Sequence, residues 1–98
     1  MFKSTLTVTR PNTSILWSDP QEEEDIYRIL TEAAKRNITA VQLFSPDLLT
    51  MNLIWSAPSE EIWDEFSHNF LRKNGEIDDS WYNSNEMTYK ITKENIDE

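Results

Sequence analysis

The chain has 98 residues, one histidine, no cysteine, and eighteen acidic residues against nine lysines and arginines, for a net charge of −9 at pH 7. This composition excludes disulfides, thiolate metal sites, a cysteine nucleophile and a zinc site built from several histidines of one chain. The acidic balance speaks against nucleic acid and anionic membranes as partners, because phosphate neutralisation needs clustered cations.

Residues 1–98 read as a single domain. "FKSTLTVTR" (2–10) alternates, with Phe2, Leu6 and Val8 on one side and Lys3, Thr5, Thr7 and Thr9 on the other, which predicts a strand. "PNTS" breaks it. Asp19 then stands as an N-cap with Pro20 at the first helical position and Glu22 three residues on. Ile26, Ile29, Leu30, Ala33 and Ala34 follow on one helical face. Lys35 and Arg36 close that helix where cations suit the macrodipole, and Asn37 stops it. The acids of "QEEED" (21–25) are what a helix's first turn favours, and consecutive positions point around the axis instead of converging on a metal.

"ITAVQLF" (38–44) and "LTMNLIW" (49–55) are β-rich runs joined by "SPDL", a type I turn signal, and predict a hairpin. Ser56 or Ser59 caps a second helix that carries Ile62, Trp63, Phe66 and Phe70. Arg72 and Lys73 finish it, with Gly75, the one glycine, at the C′ position. His68 on this helix reads as a solvated partner of Asp64 four residues earlier. "IDDSWYNSNEM" (77–87) reads as a polar loop that nonetheless holds Trp81 and Tyr82, and "MTYKITK" (87–93) is a last alternating strand.

The order β-α-β-β-α-β predicts an α+β, ferredoxin-like plan: a four-stranded antiparallel sheet with two helices on one face. These strand segments contain no acid, although the chain has eighteen. One division turns Phe2, Leu6, Val8, Leu49, Met51, Leu53, Trp55, Met87, Tyr89 and Ile91 toward the helices. Thr5, Thr7, Thr9, Ala40, Gln42, Phe44, Thr50, Asn52, Ile54, Thr88 and Thr92 then form the other face. For the hairpin, both alternate sets are rich in apolar groups, and which one meets the helices stays open. An uncharged second face, partly apolar and rich in threonine, points to a covered surface; threonine is also simply a good strand former. Trp81 and Tyr82, residue types enriched in interfaces, either cover that face or its rim or fold back on their own helices.

The layout, best expressed in "VQLFSPDLLTMNLIWSAPSEEIWDEFSHNF" (41–70), resembles the dimeric α+β barrel group of ferredoxin-like proteins, which includes the antibiotic-biosynthesis-monooxygenase-like families. It is also similar to small ferredoxin-like proteins of marine microbes and phages. The resemblance spans Phe2 to Lys93 and implies a homodimer whose sheets face each other around mostly apolar cavities. The pattern of its haem-degrading members is not met: Trp63 and His68 are too close together on the second helix, and the first strand lacks an asparagine.

The leading expectation is therefore a homodimer that binds a small, largely apolar ligand, acyl-chain-like or polycyclic, in a sheet-face cavity, with no cofactor and no metal. Its expected lining is Gln42, Phe44, Asn52, Ile54, Trp55, Trp81 and Tyr82. A cofactor-independent monooxygenase-like enzyme and an acidic protein-interaction module are the alternatives. No segment has the apolar length of a signal peptide or a membrane span, so a cytoplasmic location is expected.

Overall fold

The computed structural model describes residues 1–20, 25–72 and 78–96. Four strands, β1 (Phe2–Thr9), β2 (Thr39–Phe44), β3 (Thr50–Ala57) and β4 (Thr88–Asn95), form one antiparallel sheet in the order β2-β3-β1-β4. Helix α1 (Ile26–Lys35) links β1 to β2, and α2 (Glu60–Phe66) with a short α3 (Ser80–Ser84) lies between β3 and β4. Each β-α-β unit is thus split by a strand of the other, an α+β arrangement compatible with a ferredoxin-like fold.

The register assigns every strand residue to a face, because directly opposed residues in antiparallel strands point the same way. Phe2, Leu6 and Val8 of β1 lie opposite Ala57, Leu53 and Met51 of β3, and this set is the one turned to the helices. β2 corrects the division read from the sequence. Ala40, Gln42 and Phe44 pair with Trp55, Leu53 and Met51, so they share the helix-facing side, and Val41 and Leu43 occupy the open face instead. The reason is Trp55: its ring packs on Trp63 at 5.7 Å and Phe66 at 5.6 Å, which fixes the phase of β3 and through it that of β2. β4 also runs further than expected, to Asn95, which places Glu94 on the open face opposite Lys3. The acid-free sheet is corrected accordingly.

The core falls into two clusters on the helix side. Phe2, Ala33, Ile38, Trp55, Ala57, Trp63 and Phe66 form the first, and Val8, Met51 and Met87 anchor the second. Ser59 caps α2 by accepting from the Ile62 N–H at 3.2 Å, and Glu60 and Glu61 occupy its first turn. The α-helical part stops at Phe66, earlier than the spacing predicts. The chain then widens into a π-helical turn, Ser67–Leu71, before Arg72 turns extended. Glu22, Glu23, Glu24, Lys73 and Gly75 lie outside the described residues. Asn37 ends α1 as expected: its φ is 57°, its N–H donates to Ala34 O, and the Ile38 N–H donates to Ala33 O, a Schellman closure. Residues 80–84, read as loop, form α3, whose backbone N–H groups at Asn83 and Asn85 find partners in Asp79 and Trp81.

Candidate functional site

α1 docks mainly by its last turn. Ala33 and Ile38 are buried in the first cluster, whereas Ile26 is 46% and Leu30 43% exposed near the other end. A cleft of about 690 Å³ opens between the sheet and the helices. Two cross-strand rows make its floor: Gln42–Leu53–Leu6–Ile91, and beside it Ala40–Trp55–Ser4. Ile29 and Leu30 line it from α1, Phe70 from the π-helical turn and Tyr82 from α3. That volume lies within the range of small-molecule sites, about 300–1,000 Å³, and the mix of an apolar lining with a few polar groups is the usual one.

Charge sits at the rim. Asp25, Arg72 and Asp78 all border the cleft. Asp25 faces Arg28 at 3.5 Å, and Asp78 accepts from the Ser80 N–H at 3.1 Å and its hydroxyl at 2.7 Å. At the far end of α1, Arg36 clamps the two helices together. Its Nε and Nη2 donate to the two Glu65 oxygens at 2.8 and 3.1 Å, and its Nη1 to Glu32 at 2.9 Å. The guanidinium also lies 5.0 Å from the centre of the Phe70 ring. Hydrogen bonding from Arg36 holds the Glu65 carboxyl below its ordinary pKa, and Lys35 followed by Arg36 does the same for Glu32. Tyr82 and Tyr89 pack at 5.3 Å, and desolvation, then the nearby Asp79 carboxylate, push the Tyr89 phenol upward.

The expected site residues divide between two sides of the sheet. Gln42, Trp55 and Tyr82 line the cleft. Phe44 faces the same side but packs against Trp17 at 6.0 Å and is 48% exposed. Trp81 joins the second cluster, and its indole N–H donates to Leu16 O at 2.9 Å. Both aromatic residues of α3 thus fold onto their own chain's helix side. Asn52 and Ile54 lie on the open face, where the Asn52 side chain accepts from the Thr7 hydroxyl at 2.6 Å. Asn52 and Trp55, expected in one lining, are therefore separated by the sheet. His68 is exposed on the π-helical turn.

Sequence reasoning missed Ser4, Leu6, Ile29, Leu53, Ile91 and Arg72 as cleft residues. One signal was available: Ser4 interrupts the otherwise apolar inward series Phe2, Leu6, Val8. Its residue is only 4% exposed, and among the described residues its hydroxyl has no hydrogen-bond partner. Among the described residues no group of three or more His, Cys, Asp and Glu side chains could hold a metal, and no helix is long and apolar enough to cross a membrane. What the cleft offers chemically is an apolar body with hydroxyl, amide and guanidinium groups for orientation. No family model matches the chain, and no curated protein matches it.

Proposed function

We propose that the protein binds a small, largely apolar molecule, acyl-chain-like or polycyclic, in the cleft between the sheet and its helices. The observation that carries this reading is α1, which holds Ile26 and Leu30 about half exposed beside an apolar floor it does not fill. A ligand that finishes burying such side chains recovers part of the roughly 1.5–3 kcal/mol that full burial of each supplies. Trp55 and Trp63 both line the cleft, so occupancy is readable in intrinsic fluorescence. Native mass spectrometry of the purified chain, followed by fluorescence titration with decanol and naphthol, tests it. Saturable one-to-one binding supports the reading; no bound mass and no fluorescence change with either class contradict it.

A second reading concerns assembly, and the open face favours it. That face holds seven threonines with Val41, Leu43 and Ile54, and its only charges are Lys3, Lys90 and Glu94. Val41 and Leu43 are each just over half exposed. On a chain of net charge −9, this is a surface of net +1 whose one acid, Glu94, lies opposite Lys3, so two copies approach with little acid-on-acid repulsion. We infer a homodimer that pairs these faces, the α+β barrel arrangement that the layout resembles. Light scattering of the wild type and Leu43→Asp tests it: a dimer mass that falls to the monomer in the variant supports the pairing. A monomer mass for the wild type at 100 μM, a concentration that bounds Kd in the ~0.1 mM range, excludes it.

A further inference from the structure

We infer that the cleft's ligand carries a single anionic head, a carboxylate in chemical class, which Arg72 receives at the rim, and an oxygen within its apolar body, which Ser4 meets at the floor. The inference rests on the binding reading above and specifies the chemistry of the bound molecule.

Among the described residues, three charged side chains border the cleft, and two of them are already engaged. Asp25 faces Arg28, and Asp78 takes both the N–H and the hydroxyl of Ser80. Arg72 is different. It lines the cleft directly after the π-helical turn, it is only partly exposed, and among the described residues no hydrogen bond, ion pair or ring contact engages it. A guanidinium presents a planar fork of donors that matches a carboxylate with two parallel hydrogen bonds, and such charge-assisted bonds are stronger than neutral ones. Among the described residues that fork is unused at the mouth of an apolar cleft, an arrangement that suits a carboxylate.

Ser4 is the second observation. It lies in the middle of the sheet between Trp55 and Lys93, is 4% exposed, and lines the cleft with its hydroxyl unpartnered among the described residues. The hydroxyl opens onto the cleft, where a ligand oxygen can take the place of water as its hydrogen-bond partner. The two groups together describe an oxygenated amphiphilic acid, such as a hydroxy or oxo derivative of a medium-chain or aromatic carboxylic acid. Neutral hydrocarbons and cationic amphiphiles do not satisfy both.

The test uses the full chain and tryptophan-fluorescence titrations with decanoate, decanol and a mid-chain hydroxydecanoate, each below its micelle concentration. The variants are Arg72→Gln, Ser4→Ala, and Lys93→Gln as a cation on the same strand face outside the cleft lining, each checked for an unchanged circular dichroism spectrum. In the wild type, decanoate binds at least ten-fold more tightly than decanol, and the hydroxy acid several-fold more tightly again. Arg72→Gln brings decanoate down to the decanol level and leaves decanol unchanged, Ser4→Ala removes only the hydroxy acid's advantage, and Lys93→Gln alters none of them. Equal binding of acid and alcohol, or an unchanged decanoate affinity in Arg72→Gln, overturns the inference while the apolar cleft stands. Absence of binding by all three molecules overturns the cleft reading and this inference with it.

Discussion

Leu30 and Phe66 are both apolar helix residues that face the sheet side, and the structure assigns them very different weights. Phe66 is fully buried, with ring partners Trp55, Trp63 and Phe70 all within 6 Å. Its truncation to alanine removes a whole ring from a packed cluster, a change worth about 3–5 kcal/mol. Leu30 is 43% exposed over an unfilled cleft, so Leu30→Ala forfeits only part of the roughly 1.5–3 kcal/mol of a fully buried leucine and creates no new sealed cavity. The expected cost is about 1 kcal/mol, reduced slightly by alanine's better helix propensity. For a domain of this size, about 4–8 °C of melting temperature accompanies each kcal/mol. Leu30→Ala therefore lowers the midpoint by roughly 4–8 °C and Phe66→Ala by more than about 12 °C. Circular dichroism melts and urea titrations measure both, with Phe66→Leu as the milder companion if the alanine variant does not fold. If Leu30→Ala costs as much as Phe66→Ala, the space beneath α1 is a closed, packed core and the cleft reasoning fails.

Leu48 adopts φ 60° in the β2–β3 turn and is 49% exposed. Leu48→Gly is accordingly expected to raise stability by up to about 1 kcal/mol, because glycine avoids the left-handed penalty and little burial is lost; a lowered urea midpoint refutes it. Ser59→Ala removes the cap on the Ile62 N–H and costs about 1 kcal/mol in the same assay, and a change near zero would show the cap to be idle. The Glu65 and Glu32 carboxyls have folded-state pKa values below their ordinary ones, so the stability they add is fully present above about pH 4.3 and is lost as pH falls through the folded values. Arg36→Met flattens this acid limb relative to wild type; parallel pH profiles of the two proteins below pH 5 would show that the clamp does not cause it.

How much of this was legible in the sequence depends on how strongly each residue constrains its own position. Asn37 announces the end of α1 because asparagine tolerates the left-handed backbone that the closure needs. Ser59 and the alternation of β1 are equally local signals. The phase of β2 is not local. Ala40, Gln42 and Phe44 are as apolar a set as Thr39, Val41 and Leu43, so composition gives no preference and only pairing with a β3 locked by Trp55 decides. The π-helical turn hides for a similar reason: the spacing of Phe66 and Phe70 suits an α-helix, and in the widened turn Phe70 still packs on Phe66 and under Arg36. The side of the sheet that holds the cleft was illegible because it arises from how far α1 stands off the sheet, a tertiary distance. Trp81 and Tyr82 are unusual in a polar stretch, but their five-residue helix lacks the length for a periodic signature, so the segment reads as loop.

The most direct test of the cleft reading is methyl NMR on the full chain, because leucine, isoleucine and valine methyls report the two sides of the sheet separately. On titration with decanoate, the methyls of Leu6, Ile29, Leu30, Leu53 and Ile91 are predicted to shift in a saturable manner, with those of Val41, Leu43 and Ile54 unchanged. Shifts confined to Val41, Leu43 and Ile54, or no shifts on either side, would contradict the account.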